Sequence, residues 1–437
     1  MDRINELKES ILAQVAEYYR LVHGREEAFD ENTSRVNYAG RVFDEREMLN
    51  LTDAALEFWL TAGKWAVRFE HELAEYLGCR WSLLVNSGSS ANLLAFMALT
   101  SPLLGERRIR RGDEVITVAA GFPTTVAPVV QYGAVPVFVD TDLYGNLDSA
   151  LLEQALSPRT RAVFTAHTLG NPFRADLVRA FCDRHGLWLI EDNCDAFGSK
   201  FGGRFTGTFG DIGTSSFYPP HHLTMGEGGA VYTSDPLLKK IMLSLRDWGR
   251  DCWCGPGCDN SCGCRFSKQF GELPPGYDHK YVYSHFGYNL KATDLQAAIG
   301  CAQLEKLPGF TVRRQANFNR LRAGLEGLEQ HLILPEPTPG SEPSWFGFLM
   351  TLRNGGRNDF ACYLEENRIQ TRNLFGGNLT CQPCFGDLEK GRDYRIAGDL
   401  KNTDRIMNDS LWVGVYPGMT EPKIDYMIRM IRRYFGD

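Results

Sequence analysis

The chain has 437 residues, of which 43% are apolar and 23% charged, and its formal net charge is −7. That length allows a large domain plus a smaller one. The composition is that of an ordinary soluble protein, and the acidity gives no reason to expect a nucleic-acid partner. The opening MDRINELKESILAQVAEYYR is amphipathic and acidic, unlike a secretory signal. No apolar run reaches the ~20 residues needed to cross a bilayer, so a cytoplasmic protein without a membrane partner is expected.

Residues 1–50 read as an N-terminal helical segment. From about Leu51 helix-like and strand-like segments alternate. EVITVAA reads as a strand, PTTVAPVVQYG as a helix closed by glycine, and VPVFVD as a strand. RAVFTAH, DLVRAFCDRHG and LWLIEDN repeat the strand, helix, strand order. This rhythm predicts an α/β fold with a mostly parallel sheet covered on both faces. Ligands in such sheets gather at the carboxyl ends of the strands. TDLQAAIGCAQLEKL carries apolar residues at helical spacing, and a second helix, TVRRQANFNRLRAGLEGL, is expected after it. The Pro- and Gly-rich LPEPTPGSEP then leads into a smaller α/β region containing FGFLMTL, DFACYLEENR and IDYMIRMIRRYF. The expected division is 1–50, a large domain over 51–307 and a C-terminal small domain over 308–437.

LLVNSGSSANLLAFMAL runs from a strand through a small-residue turn into a helix. The amides and hydroxyls of Gly88, Ser89 and Ser90 would sit at a helix N-terminus, which suits a phosphate. Such turns are common, so the signal is weak alone. In WLIEDNCDAFGS, Asp192 falls where a buried strand should end. A carboxylate there suits a protonated pyridine nitrogen, as in a pyridoxal ring, although a strand-end Asp taken alone more often caps a turn. Phe122 in AAGFPTT offers a face for such a ring, or a core contact. Ser216 precedes the turn carrying His221 and His222 and offers a further phosphate contact.

In this order the elements resemble the sugar aminotransferase branch of the fold-type-I pyridoxal phosphate enzymes, from roughly Phe58 to the C-terminus. The resemblance implies an aspartate aminotransferase-like large domain. It implies that Gly88, Ser89, Ser90 and Ser216 contact the phosphate, that Phe122 covers the ring and that Asp192 meets its nitrogen. Asn289, in FGYNLKATDLQAAIG, would reach the phosphate of a neighbouring subunit, which implies a homodimer. Lys291 stands where relatives often carry Arg. Asp195 stands beside the expected ring hydroxyl, where relatives commonly carry His or Gln. Tyr218, Arg372 and Asn378 are candidate contacts to the substrate.

In aminotransferases of this branch the residue five after that Ser is the lysine that joins the cofactor as a Schiff base. Here it is His221. An imidazole has no primary amine and makes no such bond, but it accepts and returns a proton near neutral pH. The implied resting cofactor is free pyridoxamine 5′-phosphate (PMP). Its amine would condense with a ketone, and His221 would take a proton from its C4′ carbon. A leaving group β to that carbon, such as the C3 hydroxyl of a 4-keto sugar, could then depart. His222 lies one position beyond and is the weaker candidate.

The chain has 12 cysteines, and CWCGPGCDNSCGC gathers Cys252, Cys254, Cys258, Cys262 and Cys264. In a reducing compartment such a cluster points to metal or redox chemistry ahead of disulfides. Four thiolates suit an iron–sulfur cluster or zinc, and spacing alone does not choose among the loop cysteines. The run Cys194, Cys252, Cys254, Cys262, with 57, 1 and 7 residues between successive members, resembles the CDP-4-keto-6-deoxy-D-glucose 3-dehydrase family. Histidine in place of lysine belongs to the same resemblance. It implies a [2Fe–2S] cluster on those four cysteines beside PMP, and a nucleotide-linked 4-keto-6-deoxyhexose as substrate. It also implies a separate NADH-dependent flavin iron–sulfur reductase. Cys194 is two residues from Asp192, and two extended residues span at most about 7 Å, so a cluster on Cys194 would lie near the ring. Two rivals stand beside this reading: a histidine-dependent dehydratase that regenerates PMP from glutamate without a cluster, and a catalytically silent metal-binding scaffold.

Overall fold

A computed structural model describes residues 2–24, 28–255 and 257–436. The strands come in chain order as β1 (Trp81–Val85), β2 (Glu114–Val118), β3 (Val135–Val139), β4 (Thr160–Ala166) and β5 (Trp188–Asp192). The short β6 (Lys200–Phe201) and β7 (Arg204–Phe205) precede β8 (Ile212–Ser216) and β9 (Gly229–Thr233). The central sheet has eight strands in the order β1-β9-β8-β5-β4-β2-β3, ending on the short strand Arg395–Ile396. β9 alone runs against its neighbours; the other pairings are parallel. β2, β3, β5, β8 and β9 are buried along their whole length. Helices cover both faces, which is why a strand such as β3, VPVFV, reads as a continuous apolar run without alternation.

This topology brings the carboxyl ends of β1, β2, β4, β5 and β8 to one edge. The helix Gly88–Ala98 begins just after β1, and Pro123–Tyr132 just after β2. Gly133 closes the latter in the left-handed conformation at φ 87°, as the glycine after PTTVAPVVQY predicts.

The C-terminal region builds its own core around the antiparallel strands Leu332–Ile333, Gly347–Leu352 and Ser410–Gly414, with the helices Arg357–Glu366 and Glu421–Tyr434. One expectation needs correction here. The two helices read on either side of Leu307 are one helix, Asp294–Gly324, 31 residues long. Pro308 and Gly309 look like a stop, because proline removes a backbone donor. The helix nevertheless continues, anchored at both ends. Ala297, Cys301, Leu304 and Leu307 pack into the large-domain core, and Phe318 and Leu321 into the C-terminal core. The change of packing partner occurs inside one helix and not at a linker. The segment 1–50 carries the helix Asp2–Val22 and the start of the helix Glu45–Glu57. Val36 is buried in the C-terminal core, where its backbone exchanges hydrogen bonds with Arg368 and Gln370. Among the described residues no helix is long and apolar enough to cross a membrane.

Among the described residues between Arg246 and Asp294, regular structure is reduced to the 3-10 turn His279–Tyr281. This is the cysteine-rich segment. Side chains tie it together: Arg265 and Asp278 pair at 2.8 Å, and Lys280 pairs with Asp259. All 12 cysteines are free thiols.

Candidate active site

At the strand-end edge lies a cavity of about 350 Å³. Gly88, Ser89, Phe122, Asp192, Cys194, Asp195, Ser216, Tyr218, His221 and Arg372 all line it. These residues span almost three hundred positions of sequence, and the parallel topology is what gathers them.

The floor is built by close approach. A Cβ placed on Gly88 would stand 2.4 Å from Cβ of Ser216, so only glycine lets the helix start reach the end of β8. Ser87 caps that helix by accepting from the Ser90 amide at 3.1 Å. Ser90 is thus turned to the cap, whereas Ser89 is exposed at the cavity. A helix N-terminus with free amides favours an anion.

Asp192 is buried at the end of β5 and fixed by three donors. Oδ2 accepts from Asn92 Nδ2 at 2.8 Å and from Thr125 Oγ1 at 2.7 Å, and Oδ1 accepts from the Cys194 amide at 3.1 Å. Thr214 in turn donates to Asn92 Oδ1 at 2.7 Å. Asn92, Thr125 and Thr214 were not singled out from sequence. Asn92 lies four residues after Gly88 on the inward helix face, and that spacing was the available signal.

His221 sits across the cavity wall from these carboxylates. Its Nδ1 is 3.6 Å from Asp195 Oδ1, and its ring lies 5.3 Å from that of Phe346. His221 Nδ1 and Asp195 Oδ2 are both buried without a hydrogen-bond partner among the described residues. Burial lowers the His221 pKa to about 4, opposed by the charge of Asp192 and reinforced by Arg314. Burial, with Asp192 next, raises Asp195 to about 8. At neutral pH the pair is therefore a neutral imidazole beside a protonated carboxyl. Orphaned buried groups of opposite proton character are what a polar guest would satisfy, and the set fits a pyridine ring carrying a phosphate, an amine and a hydroxyl. His222 points away and donates from Nε2 to the Ser344 carbonyl at 2.7 Å. Arg314, buried at 1% exposure, donates to the carbonyls of His221 at 3.2 Å and Trp345 at 3.0 Å. It braces the histidine turn, and nothing in the helical sequence around it signalled this.

Phe122 is 50% exposed and meets Phe375 edge-on at 6.2 Å. Tyr218 is likewise half exposed. Arg372 stacks its guanidinium 4.1 Å from the centre of the Tyr38 ring. Tyr38, Phe346, Asn373 and Trp412 add lining that sequence reasoning missed, because they come from the N-terminal segment and the C-terminal region.

Besides Ser90, two candidates are not brought to this cavity. Asn378 gives Nδ2 to Asp404 at 2.7 Å and accepts from the amide and hydroxyl of Thr380, so its side chain serves a turn. Asn289 is exposed on the Asp247 bridge and does not line the cavity of its own chain. Lys291 donates to Asp247 at 3.2 Å and lies 3.7 Å over the Trp248 ring.

The cysteines divide. Cys252, Cys254 and Cys262 bring their sulfurs within 4.8 Å of one another, and Cys262, Cys264 and His279 form a second such group. Cys252, Cys254, Cys258 and Cys262 face a separate cavity of about 610 Å³. Cys194 belongs to neither group and lines the smaller cavity, where burial raises its thiol pKa well above the usual range. The loop thiols fit a thiophilic metal; the expected fourth thiol stands apart from them.

Residues 42–432 match the DegT/DnrJ/EryC1/StrS aminotransferase family. The chain belongs to this family. Its fold is the fold-type-I, aspartate aminotransferase-like fold. It is 52% identical over 436 residues to the lipopolysaccharide biosynthesis protein RfbH of Salmonella typhimurium, covering 99% of each chain. It is 51% identical over 437 residues to the dTDP-4-dehydro-2,6-dideoxy-D-glucose 3-dehydratase of Saccharopolyspora spinosa, covering 99% of this chain and 93% of that one. Among solved structures, E. coli GDP-4-keto-6-deoxy-D-mannose-3-dehydratase with bound hydrated pyridoxal phosphate (PLP) superposes with a TM-score of 0.81 at 27% identity. That match covers 90% of this chain and 98% of the other. Within the DegT/DnrJ/EryC1/StrS family, the likeness is thus to sugar 3-dehydratases.

Proposed function

We propose that this protein is a PMP-dependent dehydratase that removes the C3 hydroxyl of a nucleotide-linked 4-keto-6-deoxyhexose, with His221 as the base. One observation carries the reading: a neutral, buried imidazole with an unpartnered Nδ1 stands in the cavity where the aminotransferases of this branch carry lysine. Bound PMP would supply an amine for the sugar ketone and an electron sink for the carbanion character that develops at C4′. The chain's own groups then have defined work. The amides at Gly88 and Ser89, with Ser216 and the partner subunit's Asn289, would hold the phosphate in a homodimeric, cytoplasmic enzyme. Phe122 covers the ring and Asp192, held by Asn92 and Thr125, meets its nitrogen. His221 takes the C4′ proton, and a base so positioned contributes ~10²–10⁴-fold. Asp195, protonated at neutral pH, offers a hydrogen bond beside the ring hydroxyl. Tyr218 and Arg372 face the remaining space and are assigned to the substrate.

The loop thiols support the second half of the reading. They would hold a [2Fe–2S] cluster that passes electrons one at a time from a separate NADH-dependent flavin reductase, giving the 3-deoxy sugar. The resemblance of the cysteine spacing contributes Cys194 as fourth ligand and CDP as the nucleotide. Anaerobically purified enzyme with PMP should release the C3 oxygen of CDP-4-keto-6-deoxy-D-glucose to solvent and bind iron and sulfide in equal amounts. It should form 3-deoxy product only with reductase and NADH. Product formed with glutamate as the sole addition would favour the cluster-free dehydratase, and no oxygen release with CDP-, dTDP- or GDP-linked substrates would remove the dehydratase reading.

A further inference from the structure

Residues 36–40 form a strap from the N-terminal segment, laid along the C-terminal region. The Val36 amide donates to the Arg368 carbonyl at 2.9 Å, and the Gln370 amide donates to the Val36 carbonyl at 2.9 Å. The Tyr38 amide donates to Gln370 Oε1 at 3.2 Å. A Cβ on Gly414 would stand 2.0 Å from the Tyr38 carbonyl oxygen, so the missing side chain at the end of the strand Ser410–Gly414 is what seats the strap. Seated there, Tyr38 is half-buried and lines the strand-end cavity. Its ring meets Trp412 edge-on at 5.4 Å and lies 4.1 Å from the Arg372 guanidinium. The same strand fixes the backbone of Arg372. The Arg372 amide donates to the Trp412 carbonyl at 3.0 Å, and the Trp412 amide donates to the Arg372 carbonyl at 2.8 Å.

Among the described residues lining this cavity, Arg372 is the only lysine or arginine. It is exposed, and no carboxylate pairs with it among the described residues. Only Nη1 is engaged, donating to the Thr371 carbonyl at 2.7 Å. The acidic lining residues, Asp192 and Asp195, are buried, so the cavity has carboxylates inside and a cation at its mouth. A guanidinium lying flat on an aromatic ring keeps its N–H edge free and has given up much of its rotamer freedom before a ligand arrives. That edge matches phosphate oxygens in pairs. A nucleotide-linked sugar carries its negative charge in a diphosphate.

We propose that Tyr38 is a positioning residue: it holds the Arg372 guanidinium at the cavity mouth so that its free edge binds the diphosphate of the nucleotide-linked substrate. The N-terminal strap thereby completes the substrate site. The inference rests on the proposed substrate class and adds which group of it is held and by what.

The probe is whichever of CDP-glucose, dTDP-glucose and GDP-mannose binds the PMP-loaded, full-length wild type most tightly by calorimetry. Each has the diphosphate and none has the 4-ketone. Arg372→Gln should weaken that binding by roughly 10- to 100-fold. Tyr38→Leu should weaken it by roughly 3- to 10-fold, and Tyr38→Phe, which keeps the ring, by less than about 2-fold. In the Arg372→Gln background Tyr38→Leu should add little, because it acts through the guanidinium. With the 4-keto substrate, Tyr38→Leu and Arg372→Gln should raise KM for C3 oxygen release far more than they lower kcat, since the diphosphate contact is the same before and during reaction. PMP affinity should stay at its wild-type value. Undiminished binding and KM in these two variants, with oxygen release intact, would overturn the inference and leave the dehydratase reading standing. Independent, additive losses would also overturn it, because Tyr38 would then act without Arg372. An equal loss of PMP affinity would do the same by assigning the guanidinium to the cofactor's phosphate. The expected variant pattern without oxygen release would remove the dehydratase reading and leave the diphosphate site. No binding of any of the three by the wild type, and no oxygen release, would remove both.

Discussion

The strand-end cavity and the cysteine loop both gather reactive side chains, but they are held by different means. In the cavity Gly88, Phe122, Asp192 and Ser216 stand at the end of a buried strand or the start of a helix, and the sheet fixes their positions. Among the described residues of the loop the only regular element is a 3-10 turn, and donors meet through pairs such as Asp251–His279 and Arg265–Asp278. The cavity is therefore formed by the fold itself. The loop owes its arrangement to its side chains, and metal binding would add directly to its stability. Perturbing one region should leave the other standing.

The largest expected separation follows from Cys252→Ser. With the cluster lost, 3-deoxy product should vanish even with reductase and NADH. The cavity should still release the C3 oxygen reversibly, measured with oxygen-18 water. Normal product from a demonstrably cluster-free sample would return the loop cysteines to a structural role.

Gly88→Ala is the converse. The added methyl would stand 2.4 Å from Ser216 Cβ, and overpacking of this kind costs about 1–3 kcal/mol. PMP affinity by fluorescence titration should fall by roughly 10-fold or more, with metal content unchanged. Unaltered affinity would mean that the phosphate does not use this floor.

A pH series sharpens the comparison, since the unpartnered buried titratable groups of the cavity are His221 and Asp195. Asp195 is raised from 3.8 to about 8, so its contribution is present below pH 3.8 and lost as pH rises through about 8. His221 is lowered from 6.5 to about 4, so its contribution is present above pH 6.5 and lost as pH falls through about 4. The melting temperature of the apo-protein should fall from pH 6.5 to 9, and Asp195→Asn should flatten that fall. Parallel curves for wild type and variant would show that Asp195 ionises freely in the folded state.

The smallest effect is expected at Asn378. Its side chain caps the turn at Thr380 and binds Asp404. Asn378→Ala should cost about 0.5–2 kcal/mol of stability by denaturant unfolding and leave substrate KM unchanged. A raised KM at unchanged stability would restore it to the substrate site.

The sheet and the strand-end residues were legible in the sequence because parallel strands between glycine-capped helices leave a periodic trace. Gly88, Asp192 and Ser216 each stand at such an end and His221 follows in the turn after Ser216, so sequence order carried them to one edge. The helix Asp294–Gly324 was misread because Pro308 is a local signal and its override, packing in two cores, is not local. Arg314, Tyr38 and Trp412 were missed because their roles arise only when distant segments close over the cavity. His279 was missed because it follows the last loop cysteine by fifteen residues, and only the folded turn brings its Nδ1 to Cys262 and Cys264.

The most direct test of the histidine base is washout of deuterium from C4′-labelled PMP bound to the enzyme with its nucleotide-linked 4-keto substrate. His221→Asn should bind PMP as the wild type does and lose label ~10²–10⁴-fold more slowly. Washout from His221→Asn at the wild-type rate would contradict the account.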